Sequence, residues 1–430
     1  MWYLRTVARL ALLQTRATII GIAGSVGKTS TREALFAILK DIAPTHMASG
    51  NSETGVPLGL VGLFPTDYSP LDWLRMMILA PLHIGFLKNK RYIIVEMGID
   101  DPYPPKNMEY LLSIVQPHIG IITEESAAHT MQFEKTLPAG VLSDSDRLNL
   151  LVEAITKEDA KMLKKCGVQI INGDNPFLKK SLPHAETFKL TRYDVDIKKT
   201  TFSFTIDRSP ITLIFRGYVF PKDLAYSFGP AIMAAHKLNI PMDIIKEKLE
   251  KNFVPPKGRE SIFAGINNSI IIDSSYNASR PSVIAFLELV KKLKQKTHRH
   301  TIVVLADMLE LGNESQIEHE SVARAIGTIP DTLYLVGPLT KRFILPKMKA
   351  SSEAGSGSAR KWFPSVIELN QALSHIPHRS LILFKGSQSN LWLEESIKLL
   401  LKNKDDISRL ARQTAFWQRV KKAAGKWVEV

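Results

Sequence analysis

The feature that most constrains this chain is a short glycine-containing loop, GSVGKT at residues 24–29, which lies between an apolar run and a helical stretch. Small residues let backbone N–H groups point at anionic oxygens, while a lysine balances charge and a Ser or Thr hydroxyl can reach Mg²⁺. The usual spacing places a glycine where this chain has Ile22, so the loop matches the shorter G-[ST]-x-G-K-[ST] form. An ordinary strand–helix turn is the alternative, but Gly-Lys-Thr in this context favours nucleotide phosphates. The residues predicted to hold them are Gly24, Ser25, Val26, Gly27, Lys28, Thr29 and Ser30.

The pattern of apolar runs around this loop indicates an α/β protein. Buried-strand candidates occur at residues 19–23, 92–95, 118–122 and 168–171, separated by helical stretches. Such runs are typical of a parallel sheet covered on both faces. Alternating residues at 201–206 and 211–215 predict a hairpin with its turn at 207–210, followed by helices near 225–238 and 242–251.

A stretch rich in proline and glycine, residues 253–258, reads as a linker to a second α/β series. Strand candidates in that series lie at 269–272, 301–305, 332–336 and 380–384, and the small polar residues 350–360 predict a surface loop. The predicted fold is therefore a P-loop central domain with a parallel sheet flanked by helices, followed by a smaller Rossmann-like C-terminal α/β domain. The predicted division is an amphipathic segment at 1–16, the central domain at 17–254, the C-terminal domain at 255–405 and a basic helix at 406–430.

Composition bounds the partners without choosing one. The formal net charge of +14 is compatible with nucleic acid, an anionic membrane surface or a polyanionic substrate, but no nucleic-acid recognition module accompanies it, so we expect no nucleic acid. The single cysteine, Cys166, excludes an internal disulfide and fits a cytoplasmic location. Residues 1–20 carry three arginines and no acid, which leaves open a peripheral membrane helix or a helix docked on the core.

Nine segments in order resemble the Mur ligases, over roughly residues 17–400. They are the loop at 24–29, Gly50-Asn51 with Gly55-Val56-Pro57-Leu58, Val95-Glu96-Met97-Gly98, His129 after Ile121-Ile122-Thr123, Ile171-Asn172-Gly173-Asp174, Gly258-Arg259, Asp273 with Tyr276-Asn277-Ala278, residues 307–312 (DMLELG) and Lys385-Gly386-Ser387. The order of the Tyr276 and Asp307 segments is most similar to the dipeptide-adding branch of that family.

The resemblance implies an ATP-dependent, ADP-forming ligase that makes an amide bond through an acyl phosphate. It implies that Lys28 contacts the β- and γ-phosphates, that Thr29 and Glu96 hold one Mg²⁺, and that His129 holds a second one near the reacting carboxylate. Lys28 and His129 are thus the implied catalytic residues. Arg259, Asp273 and Asn277 are implied to lie near the base and ribose of the nucleotide. The implied substrates are ATP, a muramoyl-peptide carboxylate from peptidoglycan precursor synthesis, and D-alanyl-D-alanine or a similar amine.

Two departures affect the acceptor side of the reaction. The family enzymes carry an N-terminal domain that holds the uridine diphosphate, whereas only 16 residues precede the predicted central domain here, so we expect that domain to be absent. A partner that supplies it, or a lipid-linked or different substrate, remains open. The carbamylated lysine of the family falls on Arg147 or Leu148, which leaves Asp144, Asp146, Lys135 or loss of the second metal as alternatives. The runner-up function is accordingly a Mur-like nucleotide-binding protein with a changed acceptor or lost ligase activity.

Overall fold

The computed structural model describes residues 1–66, 69–126, 130–138, 143–352, 359–387 and 391–428. The chain divides into two compact units. The first unit comprises Met1–Arg192, Phe202–Leu213 and Leu224–Val254, and the second comprises Tyr193–Thr201, Ile214–Asp223 and Pro255–Val430. The finer division into four segments stays a prediction.

The first unit is built on a six-stranded parallel sheet in the order β2-β3-β1-β4-β5-β6. Its strands are β1 Thr18–Ala23, β2 Thr45–Met47, β3 Tyr92–Glu96, β4 Ile119–Ile122, β5 Val168–Ile171 and β6 Glu186–Thr187. Its helices are α1 Trp2–Leu13, α2 Lys28–Leu39, α3 Gly55–Leu60, α4 Pro70–Leu79, α5 Met108–Leu112, α6 Asp144–Leu163, α7 Pro176–Ser181, α8 Ala225–Lys237 and α9 Met242–Asn252, with 3₁₀ segments at Ala80–Leu87 and Thr130–Thr136. Strands β1, β3 and β4 are almost wholly buried, as their continuous apolar runs predict.

Three strands form a separate sheet in the order β7-β8-β9: β7 Lys189–Val195, β8 Lys199–Ile206 and β9 Ser209–Arg216. The predicted four-residue turn at 207–210 is wrong in length. Only Asp207 and Arg208 form it, both with positive φ (46° and 68°), and Ser209 already belongs to β9. Two residues with positive φ give the backbone twist that suits a tight hairpin.

The second unit holds another six-stranded sheet, in the order β10-β11-β15-β12-β13-β14, in which only β10 runs antiparallel to its neighbour. Its strands are β10 Ser261–Ala264, β11 Ile270–Ser274, β12 Thr301–Ala306, β13 Thr332–Val336, β14 Ala359–Phe363 and β15 Leu381–Lys385. Its helices are α10 Arg280–Thr297, α11 Ser315–Ile326, α12 Leu345–Ser352, α13 Val366–Leu373, α14 Glu394–Leu400 and α15 Ala415–Ala423. Shorter turns are 3₁₀ segments at Lys222–Leu224, Ile266–Asn268, Gly312–Glu314 and Lys404–Arg409, and a π-helical turn at Thr340–Ile344. The predicted succession of two α/β sheets is confirmed.

Two segment predictions in the second unit are corrected. The predicted loop at 350–360 begins inside α12 and ends inside β14, an edge strand that pairing with β13 creates; residues 353–358 lie outside the described part. The predicted helix at 406–430 shortens to α15, because Leu410 and Arg412 turn into the interior and interrupt the helix. Arg412 has a φ of +52° and pairs with buried Glu394.

Helix α1 packs against the core of the first unit. Its buried face consists of Leu4, Val7, Ala8 and Ala11, which join the same hydrophobic cluster as the residues around β1 and β3. It lies against α3 and the 3₁₀ segment Ala80–Leu87. Of the two interpretations of residues 1–20, docking on the core is therefore seen. Within the described part of the chain, no helix is both long and apolar enough to cross a membrane.

Candidate phosphate-binding site

The phosphate loop directly follows β1, a central strand of the first sheet. It therefore lies at the carboxyl ends of the parallel strands. β1 has β3 on one side, with Ile22 opposite Glu96, and β4 on the other, with Ala23 opposite Ile122. Glu96 ends β3 and Thr123 follows β4, so side chains from three strand ends surround the loop. Ligands of open α/β sheets bind at this kind of edge.

Two glycines give the loop its shape. Gly24 and Gly27 have φ values of +117° and +92°, and a Cβ at Gly24 would lie 2.6 Å from Thr123 Oγ1. Thr123 Oγ1 in turn donates to Val26 O at 2.5 Å, which fixes the tip of the loop. Lys28 Nζ donates to Gly24 O across the loop. Lys28 therefore stands over the loop from the first turn of α2, where a lysine can meet an anion held by the backbone.

Thr29 and Glu96, the predicted magnesium ligands, are neighbours. Thr29 Oγ1 donates to Glu96 Oε2 at 3.4 Å, and Arg32 Nη1 lies 3.2 Å from Glu96 Oε1. A hydroxyl and a carboxylate are the hard oxygen donors that Mg²⁺ prefers, with phosphates supplying further ligands. The donor set fits one Mg²⁺. Arg32 is not among the site residues predicted from the sequence. Its position four residues after Lys28, which places both side chains on one face of α2, is the signal that could have identified it.

Two buried carboxyl groups brace the loop from behind, and the sequence did not reveal either role. Asp159, on α6, accepts from Gly24 N at 3.0 Å, and Glu125 accepts from Ser25 Oγ at 2.8 Å. Burial raises the pKa of Glu125 well above its usual value, helped by the neighbouring Asp159, and raises the pKa of Asp159 to about 6. Glu125 Oε1 and Asp159 Oδ1 accept no hydrogen bond, and we infer that a proton shared by the two carboxyls removes the repulsion between them.

Glu124 is also held by its surroundings. Its carboxylate accepts from the side-chain amides of Asn172 and of Asn175, the latter at 2.7 Å. Its main-chain carbonyl accepts from Ser25 N and Val26 N, at 2.7 and 3.3 Å. The segment 124–126 therefore forms a wall of the phosphate loop, which gives a structural role to the Asn172 segment of the family pattern.

The residues implied to meet the base and ribose lie together in the second unit. Arg259 stacks over the ring of Tyr276, 5.1 Å from the ring centroid, and Tyr276 N donates to Gly258 O at 3.0 Å. Asn277 is exposed on the same loop. Asp273 is fully buried; its Oδ1 accepts from Ser275 N at 2.9 Å, and burial raises the pKa of Asp273 to about 6. The structure thus brings Arg259 and Asn277 to one surface and places Asp273 beneath it.

Lys385 supports that loop from the buried side. Its Nζ donates to Asn277 O at 2.6 Å and to Ser274 Oγ at 3.2 Å, and Ser387 Oγ donates to Ala278 O at 3.4 Å. Burial lowers the pKa of Lys385 to about 8, partly offset by Glu260. The Lys-Gly-Ser and Tyr-Asn-Ala segments are therefore one structural assembly.

Asp307, in the DMLELG segment, has a structural task. Its carboxylate accepts from Thr340 N at 2.7 Å and from Leu339 N at 3.1 Å, so it caps the start of the next helical segment.

Cys166 is buried, and burial raises the pKa of its thiol to about 12. A thiol that stays protonated at neutral pH is a poor nucleophile, so Cys166 is not a candidate for covalent catalysis.

The second-metal region is only partly within the described chain. His129 lies outside the described residues, as does the side chain of Asp144, so His129 as a ligand stays a prediction. Arg147, one of the two candidates for the position of the modified lysine, pairs with Glu134 at 3.0 Å, and Lys135 pairs with Asp101 at 2.9 Å. Asp146 accepts from Ser143 Oγ at the start of α6. Among the described side chains, no group of three or more His, Cys, Asp or Glu could hold a metal ion.

The fold and the motifs of this chain resemble those of one class of protein, the Mur ligases. Residues 258–388 match the family model described as Mur ligase, glutamate ligase domain, and the resemblance read from the motifs is confirmed. Within this class the chain is similar to proteins named UDP-N-acetylmuramoyl-tripeptide–D-alanyl-D-alanine ligase. It is 26% identical to that of Buchnera aphidicola over 355 residues, 78% of this chain and 66% of the relative. It is 27% identical to that of Rickettsia prowazekii over 400 residues, 87% of this chain and 76% of the relative.

Solved structures share the fold. The MurF ligase from Thermotoga maritima, solved in complex with ADP, superposes with a TM-score of 0.70 at 19% identity and covers 92% of this chain and 82% of that one. MurF from Acinetobacter baumannii gives a TM-score of 0.69 at 21% identity, with 92% and 79% covered. The chain thus spans about two thirds of the first relative and about four fifths of these solved chains.

Proposed function

We propose that this protein is an ATP-dependent, ADP-forming ligase that joins D-alanyl-D-alanine, or a similar amine, to a muramoyl-peptide carboxylate in peptidoglycan precursor synthesis. The observation on which this rests is the phosphate loop, where Lys28, Thr29 and Glu96 meet at the edge of the first sheet. The named relatives supply the substrate class, since they are ligases of the tripeptide and D-alanyl-D-alanine.

In the proposed reaction, the substrate carboxylate attacks the γ-phosphorus of ATP, which gives an acyl phosphate and ADP. The amine then attacks the acyl carbon, and phosphate leaves with the bond electrons as the amide forms. The first step brings two anions together, so charge neutralisation is the main requirement. Lys28 supplies one cation at the β- and γ-phosphates, and the backbone N–H groups of residues 24–29 are proposed to orient those oxygens.

Mg²⁺ would be held by Thr29 and Glu96, where it would neutralise phosphate charge. His129 is proposed as the ligand of a second ion. Arg259, Asn277 and the buried Asp273 are proposed to form the surface that recognises the base and ribose. A cytoplasmic location is proposed from the free, buried Cys166 and the cytoplasmic nature of such precursors.

A second candidate, a nucleotide-binding protein that has lost ligation, is favoured by one observation. Arg147, one of the two residues on which the position of the modified lysine falls, is paired with Glu134, and the other is Leu148. An arginine keeps its proton and cannot be carbamylated. In that case the phosphate loop would bind ATP, and no acceptor would stimulate its hydrolysis.

One assay separates the two candidates. ADP release would be measured with the full chain, ATP and Mg²⁺, with UDP-muramoyl tripeptide, and with or without D-alanyl-D-alanine. We expect ADP release to require both the UDP-muramoyl tripeptide and D-alanyl-D-alanine. Lys28→Ala should reduce the rate of release about 100-fold or more, because it removes a charge that stabilises the transition state. Lys40→Ala, an exposed lysine just after the same helix, is the matched control and should keep activity.

Each other outcome has a meaning. ATP binding without acceptor-dependent release, for any UDP-muramoyl peptide, would contradict the ligase and support the second candidate. Equal activity of the Lys28 and Lys40 variants would contradict the phosphate-binding role of the loop.

A further inference from the structure

The surface of α4 and of the 3₁₀ segment that follows it exposes a row of large aliphatic side chains. Leu71, Leu74, Ile78 and Leu82 are 78%, 56%, 59% and 76% exposed. In α4 the first three follow a spacing of three and then four residues, so they lie on one face of the helix. We call these four residues the aliphatic stripe.

The opposite face of α4 is already occupied. Met76 and Asp72 are buried, and Asp72 accepts from Thr66 N at 2.6 Å and pairs with Arg75 at 2.7 Å. A helix that is apolar on its inner and its outer side is unusual at the surface of a protein in water. Single exposed leucines need no explanation, but a contiguous row of four marks a surface that contacts something apolar.

Helix α1, which is joined to α4, also exposes large apolar side chains. Tyr3 Oη donates to Met77 O at 2.7 Å, which ties α1 to α4. The neighbouring Trp2 is 70% exposed, and Leu13, at the other end of α1, is 78% exposed. An exposed tryptophan on a helix joined to α4 suits a membrane interface, because the indole ring favours the headgroup region.

The two chain segments that contain α1 and the stripe expose charged side chains of a single sign. Residues 1–32 contain no Asp or Glu, and residues 69–95 contain only Asp72, which is buried and paired. Arg9, Arg16, Arg75, Lys88 and Arg91 are exposed in these two segments. Within these two segments no exposed acidic side chain opposes the cations, so an anionic headgroup layer would attract them.

We propose that the aliphatic stripe docks the protein, peripherally, onto an anionic phospholipid surface. The leucines and the isoleucine enter the boundary between headgroups and acyl chains, and the flanking arginines and lysine contact the headgroup phosphates. The proposal is independent of the proposed ligase reaction, since none of these residues belongs to the phosphate site. It would hold a cytoplasmic enzyme near the membrane without a spanning helix.

The test is flotation of the full chain with vesicles. Vesicles of phosphatidylglycerol and phosphatidylcholine would be compared with vesicles of phosphatidylcholine alone, at low and at high salt. We expect binding to the anionic vesicles, weakening as salt rises, and at least tenfold weaker binding to the neutral ones. The variant L71S/L74S/I78S/L82S should lose at least tenfold in binding to the anionic vesicles.

Two controls keep the result interpretable. V254S/I367S changes exposed aliphatic residues elsewhere and should bind like the unaltered protein. The stripe variant should keep the circular dichroism spectrum and the melting temperature, because its buried face is unchanged. K88Q/R91Q should weaken binding to anionic vesicles and leave the residual binding to neutral ones as it is.

Absence of flotation with anionic vesicles would overturn the proposal, and so would equal flotation of the stripe variant. Light scattering decides a third case. In that case the unaltered protein is a dimer without lipid, the stripe variant is a monomer, and the two bind vesicles equally. This result would overturn the proposal and make the stripe an interface between copies of this chain.

Discussion

Glu125 and Asp159 are two buried carboxyls behind the phosphate loop, and the proton that we infer they share links the shape of the loop to pH. Each carboxyl holds one loop residue, Ser25 and Gly24 respectively, at 2.8 and 3.0 Å. Two negative charges buried together, away from water, would repel each other. The folded state therefore retains a proton that an unfolded chain would release. A lysine nearby, Lys28, lowers both pKa values but does not cancel the effect of burial.

The substitution Glu125→Gln should flatten the pH dependence of stability. In the unfolded chain these carboxyls have pKa values of about 4, while the folded pKa of Asp159 is about 6 and that of Glu125 is well raised. The folded state therefore binds more protons between these values, and the stabilisation present below pH of about 4 is lost as pH rises through 6 and above. Urea unfolding at each pH would give the free energy of unfolding of the native protein and of the variant. The native value minus the variant value should fall as pH rises over this range.

Glu153→Gln is the control for that measurement. Glu153 is partly exposed, and its hydrogen bond with Lys180 lowers its pKa, so its contribution should change in the opposite sense, being lost as pH falls. A difference for Glu125→Gln that does not vary with pH would contradict the shared proton.

At the scale of elements, the C-terminal helix shows how buried charge fixes a short segment. Lys421 on α15 lies 2.8 Å from Glu394 and 2.6 Å from Glu395, both on α14 and all fully buried. Arg412 and Lys398 complete the group, and Trp427 covers Lys398 with its ring centroid 3.4 Å from Nζ. A helix of nine residues has little stability of its own, so these contacts decide where it forms.

Lys421→Ala should therefore release α15. Removing one partner of a buried ion group usually costs 3–5 kcal/mol, and we expect about 3 kcal/mol because each glutamate retains a second cation. The melting temperature and amide hydrogen exchange of residues 415–423 would measure it. Arg419→Ala, an exposed residue of the same helix, should change neither, and an equal effect of the two substitutions would contradict the anchoring role of Lys421.

At the scale of the whole molecule, the two compact units do not follow the chain as two continuous blocks. Residues Tyr193–Thr201 and Ile214–Asp223 precede the linker but belong to the second unit. Val195 and Val219 are buried in the same hydrophobic cluster as residues of α10 and β12, and Lys296 pairs with Asp194 at 2.6 Å. The second unit therefore depends on a stretch of chain that lies before residue 255.

Val219→Ala should destabilise the second unit although it lies far before it in sequence. Two buried methyl groups are lost, with a cost of roughly 2 kcal/mol. Hydrogen exchange should rise in β12, at residues 301–306, and stay unchanged in β1, at residues 18–23. Val254→Ala, at an exposed valine, is the control and should leave both strands unaffected; faster exchange in β1 alone would contradict the assignment of Val219 to the second unit.

The sequence by itself determined the elements whose patterns are local. Continuous apolar runs located β1, β3, β4, β5, β11, β12, β13 and β15 to within about two residues, because strands buried on both faces need no polar positions. The glycine spacing located the phosphate loop, since only residues without a Cβ accept φ near +100° beside Thr123. Glu96 was predictable as a site residue because it ends a buried strand next to β1.

Only the tertiary structure decided the remainder. The strands β2, β6, β10 and β14 exist because a neighbouring strand offers hydrogen bonds at their position, and their sequences carry no comparable signal. Asp159 and Arg32 look like ordinary helix residues, and they acquire roles because α6 and α2 pack beside the loop. Burial, which depends on the whole fold, also separates Asp307 and Lys385, which hydrogen-bond to neighbouring backbone, from Lys28 and Thr29, which stand at the open edge of the sheet.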